Sequence, residues 1–189
     1  MKSFVIVVDA QADFLLADGA LPVAGAEALF GPMQDWIAAL RPDDTAGVLF
    51  TFDTHDADTY PLSAEALQFP IHCVRDTAGW RGMLDPDAID PAIPLFRLEK
   101  NVFDMWAEPG VTIDDMRNPA APAALRDAFF AQLRASGVET VTLIGVAADF
   151  CVRWAARGLI ERGFRVTVPP ALTRGIERQI EAVVAADFA

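Results

Sequence analysis

Two cysteines, two histidines and one tyrosine are all that 189 residues contain of those three types. Cys73 and Cys151 are too few for a disulfide framework, so the fold rests on its hydrophobic core and free thiols are expected. Basic residues are short too, 15 Lys and Arg against 27 Asp and Glu, for a net charge of −12. A nucleic-acid partner needs a basic face, and this composition excludes one. No uninterrupted apolar stretch approaches the roughly 20 residues of a membrane span. The opening Met-Lys-Ser-Phe-Val-Ile-Val-Val-Asp has too short an apolar run for a signal peptide, and it reads as a first strand of a cytosolic protein.

The sequence is 53% hydrophobic and 22% charged, a globular balance, and its length suits one domain over residues 1–189. Short apolar runs alternate with helical stretches. Phe4 to Val8, Gly47 to Phe52, Leu95 to Leu98, Val138 to Ile144 and Phe164 to Val168 read as strands. Ala24 to Leu40, Ala121 to Ser136, Cys151 to Arg162 and Gly175 to Ala186 read as helices, with Gly137 and Gly163 as caps. The alternation predicts an α/β fold, a three-layer doubly wound sheet of about five or six mainly parallel strands with helices on both faces. Residues 54 to 94 carry much Pro, Asp and Gly and little periodicity, and loops this long in a compact domain are usually functional. Residues 101 to 119 are also loop-like.

Polar groups close several of the apolar runs. Asp9 follows the first strand, Asp53 the second, Lys100 the third, and Cys151 opens the helix after the fourth. The carboxyl ends of parallel strands lie along one rim, where α/β proteins build their sites. With Asp149 as N-cap, Cys151 falls in the first helical turn, near the positive end of the helix dipole, a setting that favours the thiolate. A lone cysteine is more often a small buried hydrophobe; an acid and an amine on the same rim point instead to nucleophilic attack on a carbonyl. In that chemistry Asp9 moves the proton and Lys100 favours ionised partners.

Both histidines fall in the irregular segment. Asp53-x-His55 at a strand end, with His72 from the following loop, forms a three-ligand set of mixed nitrogen and oxygen donors. Such a set suits Zn²⁺, or Fe, Mn or Co. Two loop histidines bonded to nearby carboxylates are the plainer alternative.

Taken in order, Asp9-x-Gln11-x-Asp13-Phe14, Gly19-Ala-Leu-Pro-Val-x-Gly25, Asp53-x-His55, Phe69-Pro-Ile-His72-Cys-Val, Thr77-Ala-Gly79, Lys100 and Gly145-Val-Ala-Ala-Asp-Phe-Cys151-Val resemble the isochorismatase-like cysteine hydrolases, nearest their nicotinamidase and pyrazinamidase branch. The resemblance runs from Phe4 to about Val168. It implies a triad of Asp9, Lys100 and Cys151, an oxyanion hole from the backbone N–H groups of Ala147 and Cys151, and a cis peptide around Val146-Ala147. It implies metal ligands at Asp53, His55 and His72, with a divalent ion, Zn before Fe or Mn, and substrate contacts at Phe14 and Phe69. The implied reaction is hydrolysis of nicotinamide or another small carboxamide through a thioester, a step of NAD salvage.

Three departures stand out. Residues 56 to 60 lack the second histidine common in that branch, position 69 is Phe where Trp is usual, and Asn-Val-Phe-Asp-Met-Trp-Ala-Glu-Pro-Gly follows Lys100 in place of the usual small residues. A ureido or carbamoyl substrate is therefore the alternative, with a catalytically silent binding domain behind it. A sixth strand is expected after residue 186, where the chain instead ends, and self-association is left open.

Overall fold

A computed structural model describes residues 2 to 188. The strands are β1 (Ser3–Val8), β2 (Thr45–Asp53), β3 (Leu95–Lys100), β4 (Thr112–Asp115), β5 (Ala124–Leu125), β6 (Thr140–Val146), β7 (Arg165–Thr167) and β8 (Thr173–Arg174). The helices are α1 (Ala12–Leu15), α2 (Phe30–Ala38), α3 (Arg126–Ala135), α4 (Cys151–Glu161) and α5 (Ile180–Asp187). All eight strands join one sheet in the order β5-β4-β3-β2-β1-β6-β7, with β8 also on β6. Every pairing among β1, β2, β3, β6, β7 and β8 is parallel, and β4 and β5 add an antiparallel edge.

The mainly parallel sheet is as read from the apolar runs, and the differences lie at its margins. The sixth parallel strand is not beyond residue 186 but at Thr173–Arg174, where two residues continue the edge of β6 that β7 begins. β4 lies within the stretch read as loop, and it alternates too few apolar residues to register as a strand. Helix ends also move. Residues 26 to 29 form a 3₁₀ turn before α2, and the last helix starts at Ile180 rather than Gly175.

Side chains of a strand alternate between faces, and each face here has its own core. Val5, Val7, Val48, Phe50, Ile144 and Val146 pack with Met33 and Ile37 of α2 on one side. Phe4, Ile6, Val8, Leu49, Leu98 and Leu143 pack with Phe130 of α3 and Val152, Ala155 and Leu159 of α4 on the other. That double coverage explains why β1 reads as an unbroken apolar run: both of its faces are buried. No helix among the described residues is long and apolar enough to cross a membrane.

β1 and β6 approach unusually closely at their carboxyl ends. Gly145 has φ +113, and a Cβ there would lie 2.0 Å from the Val8 carbonyl oxygen. Only glycine tolerates both conditions, and the approach brings the residue after β1 beside the turn after β6. Gly145→Ala is expected to lower the unfolding free energy by about 3 kcal/mol in urea titration. A loss under about 1 kcal/mol would contradict so close an approach.

Candidate active site

The carboxyl ends of β1, β2, β3 and β6 converge on one buried cluster. Asp53 and Lys100 are register partners at the ends of neighbouring parallel strands, so their side chains leave the sheet on the same side. Lys100 Nζ lies 3.1 Å from Asp53 Oδ1 and 2.9 Å from Asp9 Oδ2. The same ammonium donates toward Cys151 Sγ at 3.5 Å. Asp9, Asp53, Lys100 and Cys151 are all buried. The structure thus brings together the acid, amine and thiol that the strand ends announced.

Asp9 occupies the left-handed region with φ 46, tolerable for Asp, whose short polar side chain bonds locally. Its Oδ1 accepts from the Thr51 hydroxyl at 2.6 Å. Its Oδ2 takes the ion pair with Lys100. One carboxylate oxygen is therefore held by a hydroxyl and the other by the ammonium.

Burial works against the resting thiolate that the position of Cys151 at a helix start favours. Burial pushes the Cys151 thiol well above its ordinary range; Lys100 opposes this, and Asp9 and Asp53 reinforce it. Burial also disfavours the Lys100 ammonium, but Asp53 and Asp9 outweigh it and hold Lys100 firmly charged. Negative charge beside the sulfur disfavours a second anion there. The N-cap also differs. Phe150 caps α4 without a side-chain bond, while Asp149 accepts from the backbone N–H groups of Ile176, Glu177 and Arg178 at 2.9, 2.8 and 2.8 Å. Asp149 therefore ties the chain ahead of α5 to the turn that carries the thiol. Within that turn the Val146-Ala147 peptide is cis, and the Ala147 carbonyl accepts from Phe150 and Val152.

Asp53 faces two ways. Its Oδ1 meets Lys100, and its Oδ2 meets His55 Nε2 at 3.2 Å and His72 Nε2 at 3.0 Å. Sequence reasoning missed a fourth member, Glu65. Asp53, His55, Glu65 and His72 are all buried and offer ligand atoms within 4.8 Å of one another. Neither oxygen of Glu65 has a hydrogen-bond partner. A buried carboxylate without donors is costly unless a cation compensates it, so the donor set fits a divalent metal. Burial, helped by Asp53, raises the Glu65 carboxyl to about 7 in the metal-free protein. Burial pushes the Asp53 carboxyl up as well, yet Lys100, His55 and His72 outweigh it and hold Asp53 well below the usual carboxylate range.

The surrounding segments are fastened by residues that act on backbone. The Gln11 carboxamide donates to the Asp53 and Trp80 carbonyls and accepts from the Asp53 N–H, each at 2.8 Å. Asp13 accepts from the Cys73 N–H at 2.7 Å and the Ala20 N–H at 3.0 Å. The single tyrosine, Tyr60, donates toward the Phe69 and Pro70 carbonyls and sets its ring edge-on to His55. Of the two expected substrate-contact residues, Phe14 packs against His72 with centroids 5.3 Å apart. Phe69 instead forms a three-ring cluster with Phe103 and Phe150, at 5.3 and 5.4 Å. Phe103 also stacks on His72 at 6.2 Å, so the segment after Lys100 contributes one wall of the site.

With the metal removed, alkylation of Cys151 by iodoacetamide is expected to rise about tenfold per pH unit from pH 6 to 9 without levelling, because the thiolate fraction is still climbing. A plateau below pH 7 would show a resting thiolate and contradict the charge balance derived above.

The isochorismatase domain model matches residues 3–182. A nicotinamidase/pyrazinamidase of Mycobacterium tuberculosis is 29% identical over 181 residues, covering 90% of this chain and 86% of that protein. Among solved structures, a nicotinamidase/pyrazinamidase of Bacillus subtilis superposes with a TM-score of 0.75 at 23% identity, over 98% of this chain and 93% of that one. The pyrazinamidase of Pyrococcus horikoshii, solved in complex with zinc, gives 0.72 at 23% identity over the same shares. With a family model spanning almost the whole chain and relatives named for amide hydrolysis, the chain belongs to the isochorismatase family, near its nicotinamidase branch.

Proposed function

We propose that the protein hydrolyses a small carboxamide, nicotinamide foremost, to its carboxylic acid and ammonia through a thioester on Cys151. The observation that carries this reading is the buried contact of one ammonium, Lys100, with both Asp9 Oδ2 at 2.9 Å and Cys151 Sγ at 3.5 Å.

The chemistry follows from the charge states. Asp9 takes the thiol proton as sulfur bonds to the amide carbon, so thiolate appears only as it is consumed. The carbonyl oxygen becomes an oxyanion, and the backbone N–H groups of Ala147 and Cys151 are assigned to receive it. Asp9 returns the proton to the nitrogen, the C–N bond breaks and ammonia leaves. Water then attacks the thioester, losing a proton to Asp9. The C–S bond breaks, the acid departs and Asp9 re-protonates the thiolate. Lys100 remains an ammonium throughout, keeping Asp9 in place through their 2.9 Å contact and favouring the transient negative charge on sulfur.

Asp53, His55 and His72, with Glu65, would hold a divalent ion, Zn²⁺ first and Fe or Mn after it. When bound, that ion or its water supplies a Lewis-acid contact that orients a ring nitrogen of the substrate. Phe14 and Phe69 are assigned to the substrate ring, with Phe103 and Phe150 packed edge-on or tilted beside Phe69 in an aromatic cluster that suits an aromatic amide. A ureido or carbamoyl substrate is the second reading, favoured by the segment after Lys100, which places Phe103 and not a small residue against His72.

Ammonia release from nicotinamide, from pyrazinamide and from a panel of carbamoyl amino acids separates the two. Cys151→Ala is expected to fall to background on whichever substrate is turned over, and Asp9→Asn to lose about 10²- to 10⁴-fold in kcat. Full activity of Cys151→Ala would overturn the thioester route. Turnover confined to carbamoyl compounds would overturn the choice of nicotinamide.

A further inference from the structure

His55 and His72 both turn Nε2 toward Asp53, at 3.2 and 3.0 Å. A neutral imidazole offers a lone pair at Nε2 only if its proton sits on Nδ1, and the group facing Nδ1 decides this. His72 Nδ1 faces the Pro70 carbonyl at 2.8 Å, an acceptor that the backbone supplies regardless of side chain. His55 Nδ1 faces the side-chain oxygen of Asn101 at 3.1 Å. We infer that Asn101 is a positioning residue for the metal site, its Oδ1 holding the proton on His55 Nδ1 so that Nε2 stays free to ligate.

Three features support this role. Asn101 directly follows Lys100, so one strand end delivers the ammonium to the triad and the amide to the metal ligand. Its backbone N–H is fixed by Glu108 Oε2 at 2.8 Å. The segment that contains Glu108 is itself bolted down. The buried Arg126 guanidinium donates to the Met105 and Glu108 carbonyls, and the Trp106 ring lies 5.4 Å from Arg126 and 3.8 Å from Arg162. The residues that most depart from the resembled pattern thus carry the partner of a ligand, and the sequence itself couples the metal site to that loop. Partners of this kind orient a ligand and raise its basicity, and losing one costs about 10- to 100-fold in metal affinity.

The inference rests on the metal ligation proposed above, and zinc affinity tests the two separately. Purified protein competes for Zn²⁺ with a chromophoric chelator as wild type, Asn101→Ala, Asn101→Asp and, to control for added charge, Val102→Asp. Asn101→Ala is expected to bind about tenfold more weakly with an unchanged melting temperature before metal is added. Asn101→Asp, which can only accept, is expected to match or exceed wild type and to exceed Val102→Asp. With two histidines in the chain, ¹⁵N spectra of the zinc form resolve each ring. An Nδ1–H on His55 that exchanges faster in Asn101→Ala than in wild type supports the inference. Equal affinity of wild type and Asn101→Ala, weaker binding by Asn101→Asp, or a proton on His55 Nε2 would overturn it. Failure of wild type to bind zinc would overturn the ligation itself and the inference with it.

Discussion

A buried ammonium between two buried carboxylates, Lys100 with Asp9 and Asp53, links every part of this site. Taking three charges out of water is tolerable only because they compensate one another; removing the cation alone would strand two anions, a loss of about 3–5 kcal/mol for such a broken pair. Asp9, at the end of β1, is the proton carrier of the proposed reaction. Asp53, at the end of β2, is the shared residue, one oxygen on the lysine and the other beside His55 and His72. The sheet order β3-β2-β1-β6 sets these strand ends side by side, so fold and charge arrangement specify each other.

That economy has a chemical consequence. Burial and the neighbouring carboxylates disfavour a standing thiolate on Cys151, and Lys100 opposes them. A neutral resting thiol is less open to adventitious alkylation or oxidation, and in the proposed reaction Asp9 is the base at the moment of attack. Cys151 is the first residue of α4, and burial is the largest influence on its thiol. The dipole's more direct use is at the neighbouring amides, where an oxyanion would form.

The sheet and the members of the triad were legible because both follow local rules: β-branched apolar runs mark buried strands, and a charged residue at the end of such a run is conspicuous. Asp53, His55 and His72 were legible by residue type and by resemblance. Glu65 was not, because it sits in a 3₁₀ turn inside a Pro-rich stretch and carries no spacing relative to His55 or His72. The absent histidine in residues 56 to 60 was the available signal that the set of candidate ligands lacked a member. Asp149 misled for a physical reason. An Asp two residues before a helix is a good N-cap by local chemistry, but three backbone N–H groups of the 176–178 segment compete for the same carboxylate and win. β4, β5 and β8 are two to four residues long and exist only through their pairing, which no local pattern encodes.

The central claim is a covalent acyl bond to Cys151 made beside Asp9 and Lys100. Acid-quench mass spectrometry of the protein during turnover of its amide tests it most directly. The account predicts a transient acyl adduct on the Cys151 peptide, absent from the Cys73 peptide and lost in Cys151→Ala. Undiminished turnover by Cys151→Ala, or an adduct on any other residue, would contradict it.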